Sequence, residues 1–559
     1  MRETNIRKSS STLKRAQAVE PRRTRSTAPA PLPSARPAAG KPKQATPSEA
    51  PKPIAKPAAL PSAPARSFDA SAFASHDEAA RAALQKTRAA WISDADGELS
   101  RARFCEVMQR AKRPSLLVSA SLSTLQREKA RLSGRTLLLQ SNEGKLSRGD
   151  AEALRTGSAG LVLLTIDTLM QEDVLRALER ASVGAVAVDG AELAAAHGHE
   201  LRPAFARLPE LLPRLGKPAL FALARPVPRA VRTDAQRRLG LVDVPMLEAP
   251  PVAASVLLET RAVRGERRNA TLLELLADLP RPGVILCATP HEVDAVCAVI
   301  GPEHGSVCRS HAAMPASERA AMRARFESES RALLVTTSAL APDAGLPGLG
   351  ETATTEARVG FGLQGARADL GFILHHHAPA SLEQYVRELS SLGAANSEAV
   401  ALLFYDSSHR STNHAILEQQ RLPALKVEPF ARALEAALNS GKPLRLEALA
   451  LQTGLSRRTS ERFVALFSDA GLVRRDKAGV ALLQNGEALH VASAALGAAL
   501  TELQRGDASR LAAVERYAEA TECKRRVLAQ YFGASAGAAC GHCTSCRARG
   551  GSARHAGAR

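Results

Sequence analysis

Between about residue 68 and residue 406 the chain alternates short, wholly apolar runs with longer stretches in which apolar residues recur every three to four positions. The runs are 115–119 (SLLVS), 161–165 (LVLLT), 183–189 (VGAVAVD), 219–223 (ALFAL), 284–288 (VILCA), 333–337 (LLVTT), 372–375 (FILH) and 400–405 (VALLFY). Continuous apolar strands separated by amphipathic helices are buried on both faces, which predicts parallel sheets with crossover helices, an α/β fold. Roughly 340 residues is too many for one sheet. The basic, turn-rich stretch 250–269 is the expected division between two doubly wound domains, 67–248 and 249–408.

After a helical connector, 409–426, the pattern changes. Phe430, Leu434 and Leu438 repeat at i, i+4, and Leu446, Leu449 and Ala450 mark a second helix. Ser456 caps a third, lined by Phe463, Leu466 and Phe467 and closed by Gly471. The stretch 472–480 then reads as a small hairpin. Helix, helix, turn, helix and hairpin over 427–485 make a winged helix-turn-helix, with Arg457, Arg458 and Arg462 on the front of its third helix and Arg474, Arg475 and Lys477 on the wing. Such a domain grips DNA or serves protein contacts alone, and both readings stand at this point.

Composition narrows the class. Charged residues make up 23% of the chain, and no uncharged apolar run reaches the roughly eighteen residues a membrane span needs. The N-terminus lacks the apolar core of a secretory signal, so the expectation is a cytoplasmic, nucleoid-associated protein in a reducing compartment. The net charge of +19 is concentrated at the start: residues 1–66 hold 14 Lys and Arg against Glu3, Glu20 and Glu49, and 12 of the 33 prolines. This predicts a disordered basic arm suited to phosphate backbones, a plain spacer or a transit peptide being the alternatives; 551–559 is expected to be a second flexible tail.

Eight cysteines are too few for a disulfide scaffold, and four are grouped as Cys523-x16-Cys540-x2-Cys543-x2-Cys546. Four soft thiolates close a tetrahedron and leave no open position, which points to structural zinc in a helical module, 486–550. Cys523 is placed inside an amphipathic helix, 523–532, whose Lys524, Arg525 and Arg526 are expected to touch DNA. His542 is read as a spectator, and Cys105, Cys287, Cys297 and Cys308 as core thiols.

The run from 522–526 (ECKRR) through Tyr531-Phe532-Gly533 to Cys546 closely resembles the zinc-binding module of RecQ-type DNA helicases. Residues 381–385 (SLEQY) with Glu388, 309–314 (RSHAAM) and 198–203 (GHELRP) are similar to landmarks of that family's motor. The resemblance implies two RecA-like domains, a winged helix-turn-helix and a zinc module, and in such enzymes the motor clamps ATP and steps 3′ to 5′ along single-stranded DNA.

The nucleotide-handling positions depart from that pattern. Where the family has a Gly-rich phosphate loop, 92–101 (ISDADGELSR) has one glycine, and Glu98 stands at the lysine. Asp189 is kept, but Gly190 replaces the catalytic glutamate and Glu192 a histidine. The coupling loop, 193–201 (LAAAHGHEL), has no aromatic ring for base stacking, and the coupling Ser/Thr-Ala-Thr segment is 224–227 (ARPV). Ser391 and Ala394 stand at the two transition-state arginines, Asp77 at the adenine-recognition glutamine, and 341–358 interrupts the segment leading to 361–364 (FGLQ). No catalytic residue and no ATP or Mg2+ site survives intact, which implies a DNA-binding pseudo-helicase of repair, recombination or replication. The alternatives are a divergent ATP-dependent 3′-5′ DNA helicase in which Arg101, Arg103 or Lys112 restores nucleotide binding, and a protein-interaction scaffold.

Overall fold

The computed structural model describes residues 73–549 apart from 96, 141–145, 196–200, 266, 338–366, 368, 394–398, 440–445, 477–478, 484–485 and 536. The expected N- and C-terminal tails, the 341–358 interruption with 361–364, most of the coupling loop, Ala394 and Lys477 therefore lie outside the described residues.

Seven strands, β1 Ala89–Ser93, β2 Ser115–Ser119, β3 Thr136–Leu138, β4 Leu161–Thr165, β5 Ala185–Asp189, β6 Ala219–Ala224 and β7 Met246–Glu248, form a sheet of order β3-β4-β2-β5-β6-β1-β7. All neighbouring pairs are parallel. Six more, β8 Leu257–Ala262, β9 Gly283–Cys287, β10 Val307–Ser310, β11 Leu333–Thr337, β12 Phe372–His375 and β13 Val400–Tyr405, form a second all-parallel sheet of order β10-β11-β9-β12-β13-β8. Successive strand residues feed opposite faces, and both faces are buried. In the first sheet Leu116 and Val118 join one core and Leu117 the other; in the second, Val284 and Leu286 join one and Ile285 and Cys287 the other. These are the two doubly wound domains the apolar runs predict.

Five of these described strands escape the sequence pattern, each for a physical reason. β1 (AAWIS) hides in an alanine-rich background, and β3 and β7 are three residues each. β10 (VCRS) and β8 (LLETRA) are edge strands with polar, partly exposed residues, so they lack the apolar run of a central strand. β8 lies inside the stretch expected to be turns.

Beyond β13, helices Val427–Asn439, Leu446–Thr453 and Arg457–Asp469 precede an antiparallel hairpin, β14 Val473–Asp476 with β15 Gly479–Leu482. The Ser456 hydroxyl accepts the Thr459 amide, and Gly471 leaves the third helix at φ 74°. A 34-residue helix, Gly486–Glu519, follows; at 1.5 Å per residue it is about 51 Å long. Leu489, Leu496, Leu500 and Leu503 join the core of the three-helix unit, and Val514 and Tyr517 that of the second sheet, so one rod ties the two. The last long helix is Lys524–Phe532. Cys523 sits at its N-cap, one residue outside the helix in which the sequence placed it.

Candidate functional site

β1 runs into the loop that precedes helix Glu98–Met108, where the resemblance places nucleotide phosphates. A helix N-terminus offers free amides and a positive dipole end to an anion. Here the chain supplies its own: buried Asp94 Oδ2 accepts the Ser100 amide at 2.8 Å. One residue on, Arg101 is 2% exposed and donates from Nη1 to Asp189 Oδ1 (3.1 Å) and from Nε to Glu128 Oε1 (3.0 Å). Asp189 closes β5 and also accepts the Ser119 hydroxyl at 2.7 Å. Burial by itself raises the Asp189 pKa, but the Arg101 and Arg225 guanidiniums and the Ser119 hydroxyl hold it below its ordinary value.

The adjoining positions are closed in the same way. Gly190 is left-handed at φ 82°, and a Cβ there would meet Leu193 Cδ1 at 3.1 Å and Arg225 Nη1 at 3.6 Å. Buried Glu192 accepts the Arg225 amide (3.2 Å) and its Nη1 (3.1 Å). Asp189 and Glu192 are thus both neutralised by arginines of this domain. The sequence pointed to Glu98 as a charge facing phosphates; its carboxylate instead lies near Arg101 (3.9 Å) and Arg127 (3.6 Å). The replacement cations are committed elsewhere as well: Arg101 is inside the cluster, and Arg103 pairs with Asp77 and Glu106. Lys112 lies beyond the far end of that 11-residue helix, about 16 Å along its axis. Ser391 sits in the turn after helix Leu382–Leu389. Sequence reasoning missed Asp94, Glu128 and Arg225 as members of this cluster. The available signal was a carboxylate in the phosphate loop and an arginine in the coupling segment.

The basic residues assigned to DNA divide into two groups. Arg457 is 66% exposed and pairs with Glu461 and Glu447, and Arg458 is exposed beside it, so both stand at the outward N-terminal end of the third helix. Arg474 is exposed on β14, to which Arg475 also belongs. Arg462, in contrast, donates to the Gln420 carbonyl and fastens this helix to the connector, which corrects its groove-facing assignment. At the helix's other end buried Asp469 accepts the Ala204 amide (3.2 Å) and lies 3.3 Å from Arg202 Nη2, docking onto helix Pro203–Leu211 of the first domain.

Lys524 and Arg525 are corrected too. Lys524 is 1% exposed, with Nζ donating to the carbonyls of Tyr517 (2.7 Å), Ala518 (3.0 Å) and Ala520 (3.0 Å). Arg525 donates to the carbonyls of Val252, Ala253, Ala254 and Val256, clamping the segment that leads into β8. Two of the three consecutive cations hold the protein together; Arg526 remains half-buried on the same helix.

The four cysteines converge: the sulfurs of Cys523, Cys540, Cys543 and Cys546 lie within 4.8 Å of one another. The Cys540 amide points at Cys523 Sγ (3.3 Å) and the Lys524 amide at Cys543 Sγ (3.4 Å), as donors orient thiolates. Burial raises the Cys523 pKa, but the amides of Cys540, Arg526 and Arg525 outweigh it and bring the thiol to about 6. The donor set fits structural Zn2+, with exposed His542 outside the shell. Thr544 Oγ1 accepts the Thr260 amide of β8 (3.1 Å) and Arg547 pairs with Glu259, so the module is fastened to the edge of the second sheet.

Residues 490–547 match the RecQ zinc-binding family model. The ATP-dependent DNA helicase RecQ of Pasteurella multocida is 21% identical over 293 residues, 51% of this chain and 42% of that protein. The probable ATP-dependent DNA helicase RecS of Bacillus subtilis is 21% identical over 309 residues, 54% of this chain and 57% of that protein. The chain thus spans about half the length of the curated relatives it matches. Among solved structures, the DUF1998 helicase MrfA bound to DNA and AMPPNP aligns over 62% of this chain and 50% of its own, at 12% identity and a TM-score of 0.41. No helix among the described residues is long and apolar enough to cross a membrane.

Proposed function

We propose that this divergent relative of the RecQ-type DNA helicases is a DNA-binding protein that has lost ATP hydrolysis and acts as a binding or regulatory factor in repair, recombination or replication. The observation that carries the reading is Arg101, buried between Glu128 and Asp189, the aspartate to which the resemblance assigns a nucleotide-bound metal. Opening a buried pair costs about 3–5 kcal/mol, and Asp94 already occupies a helix amide that a phosphate would use. Gly190 stands in place of a catalytic glutamate and Ser391 in place of an arginine finger worth roughly three to five decades, which removes, among the described residues, the groups that would position water and stabilise transferred charge. DNA contact falls to the exposed Arg457, Arg458 and Arg474, with the basic N-terminal segment adding charge.

The test is fluorescent-nucleotide binding together with steady-state ATPase assays, with and without single-stranded DNA. The expected result is no nucleotide binding and no turnover above background, alongside salt-dependent DNA binding. DNA-stimulated turnover that Asp189→Asn abolishes would establish a divergent helicase instead.

A further inference from the structure

A second group of metal-type donors lies in the other α/β domain. Cys287 is the last residue of β9, Glu292 lies in the first turn of the following helix, Pro290–Val299, and His376 directly follows β12. β9 and β12 are neighbours, with His375 opposite Leu286, and this register brings His376 beside Cys287. One donor atom from each of Cys287, Glu292 and His376 lies within 4.8 Å of the other two. Zinc bonds of about 2.0–2.3 Å set tetrahedral donors roughly 3.3–3.8 Å apart, so an entering ion parts Glu292 Oε1 and His376 Nδ1 from their 2.6 Å contact.

Three features go beyond proximity. His376 Nδ1 lies 2.6 Å from Glu292 Oε1 and its Nε2 lies 3.3 Å from Asn269 Oδ1, so each ring nitrogen faces an oxygen. That is how a metal-binding imidazole is held, its second nitrogen anchored by an oxygen. Next, Cys287 and His376 are 0% and 4% exposed, a dry setting for a thiol and an imidazole facing a carboxylate. Finally, His377 Nε2 and His409 Nε2 are buried without a hydrogen-bond partner in mutually tilted rings whose centroids are 4.1 Å apart, and His377 Nδ1 is 4.0 Å from Glu292 Oε2. The neighbourhood holds more imidazole nitrogen than its own polar groups satisfy.

We propose that Cys287, Glu292 and His376 form a second zinc-class site, separate from the four-cysteine centre. Sulfur, nitrogen and oxygen donors together favour Zn2+ over Mg2+ or Ca2+, which take oxygen shells. Three protein ligands leave a fourth position for water or His377. Binding displaces to solvent the Cys287 thiol proton and the proton held between His376 Nδ1 and Glu292. Arg268 lies 3.7 Å from Glu292 Oε1, but it is also 3.7 Å from Asp406, so coordination does not strand its charge. The site lies at the carboxyl ends of two central strands, where open α/β sheets hold their ligands.

Elemental analysis of the zinc-loaded, dialysed full chain tests this, with X-ray absorption at the zinc edge. Two zinc ions per chain and a mixed shell of sulfur with nitrogen and oxygen are expected, falling to one zinc in an all-sulfur shell in Cys287→Ala and in His376→Ala. One zinc per chain with sulfur ligands alone in the unaltered protein overturns the proposal and leaves His376 and Glu292 as a plain ion pair. Because the count and the shell are read on the unaltered chain, misfolding of a variant does not decide the outcome.

Discussion

Arg101 shows how a single side chain changes what a cleft can do. It is held by two buried carboxylates, so Arg101→Met leaves Asp189 to Ser119 and Arg225 and leaves Glu128 to Arg131 at 3.5 Å, and a loss of up to about 3–5 kcal/mol is expected in denaturant unfolding. The pH dependence follows from Asp189, whose folded pKa is depressed. Its contribution is fully present above the unfolded value, about 3.9, and is lost as pH falls through the lower folded value. Asp189→Asn should therefore be less stable than the parent at neutral pH and lose less stability on acidification below about pH 4, as read from denaturant midpoints. Restoring motif residues is not expected to restore chemistry. Glu98→Lys with Gly190→Glu leaves Arg101 in place and forces a side chain onto a φ of 82° against Leu193 and Arg225, so ATPase activity should stay at background. That Glu98 and Gly190 stand where the resemblance expects a lysine and a glutamate was legible in the sequence. That Arg101 fills the gap was not, because its partners lie 27 and 88 positions away.

At the scale of elements, the third helix of the three-helix unit has two different ends. Its outward end carries Arg457 and Arg458, and its inward end carries Asp469 on the first domain's Ala204 amide. Alanine at Arg457 or Arg458 should flatten the log-log salt dependence of DNA binding by roughly one unit for each phosphate that is no longer neutralised. Alanine at Arg462, Lys524 or Arg525 should leave that slope unchanged while lowering thermal stability, since those cations bind backbone carbonyls. Titration with duplex DNA at several salt concentrations separates the groups, and a slope that falls for Lys524→Ala would contradict the division. The Ser456 cap and the Gly471 stop were readable because local geometry demands those residue types. Edge strand β8 was not readable, since its exposed side removes the apolar signature that marks a central strand.

Across the whole molecule, the zinc module works as a clasp. Arg525 grips the segment ahead of β8, while Thr544 and Arg547 hold β8 itself. Chelating the metal removes binding energy that is largely folding energy for the module, on the order of 10 kcal/mol. Hydrogen exchange should then quicken over 252–262 as well as 523–547, with β1 to β7 unchanged; unchanged protection at 252–262 would show that the clasp does not bear on the sheet. The sequence by itself determined what depends on local periodicity and spacing: two parallel α/β domains from apolar runs, and a metal centre from cysteines within a short span. Only the tertiary structure decided which cations are exposed, because Arg457 and Lys524 look alike in a sequence and differ in what lies opposite them. It also decided that Asp189 and Glu192 are matched by Arg101 and Arg225, and that buried Cys287 is a neighbour of Glu292 and His376. Charge pairing and donor convergence depend on distance in space, and the long crossovers of a parallel sheet bring together residues that the chain keeps far apart.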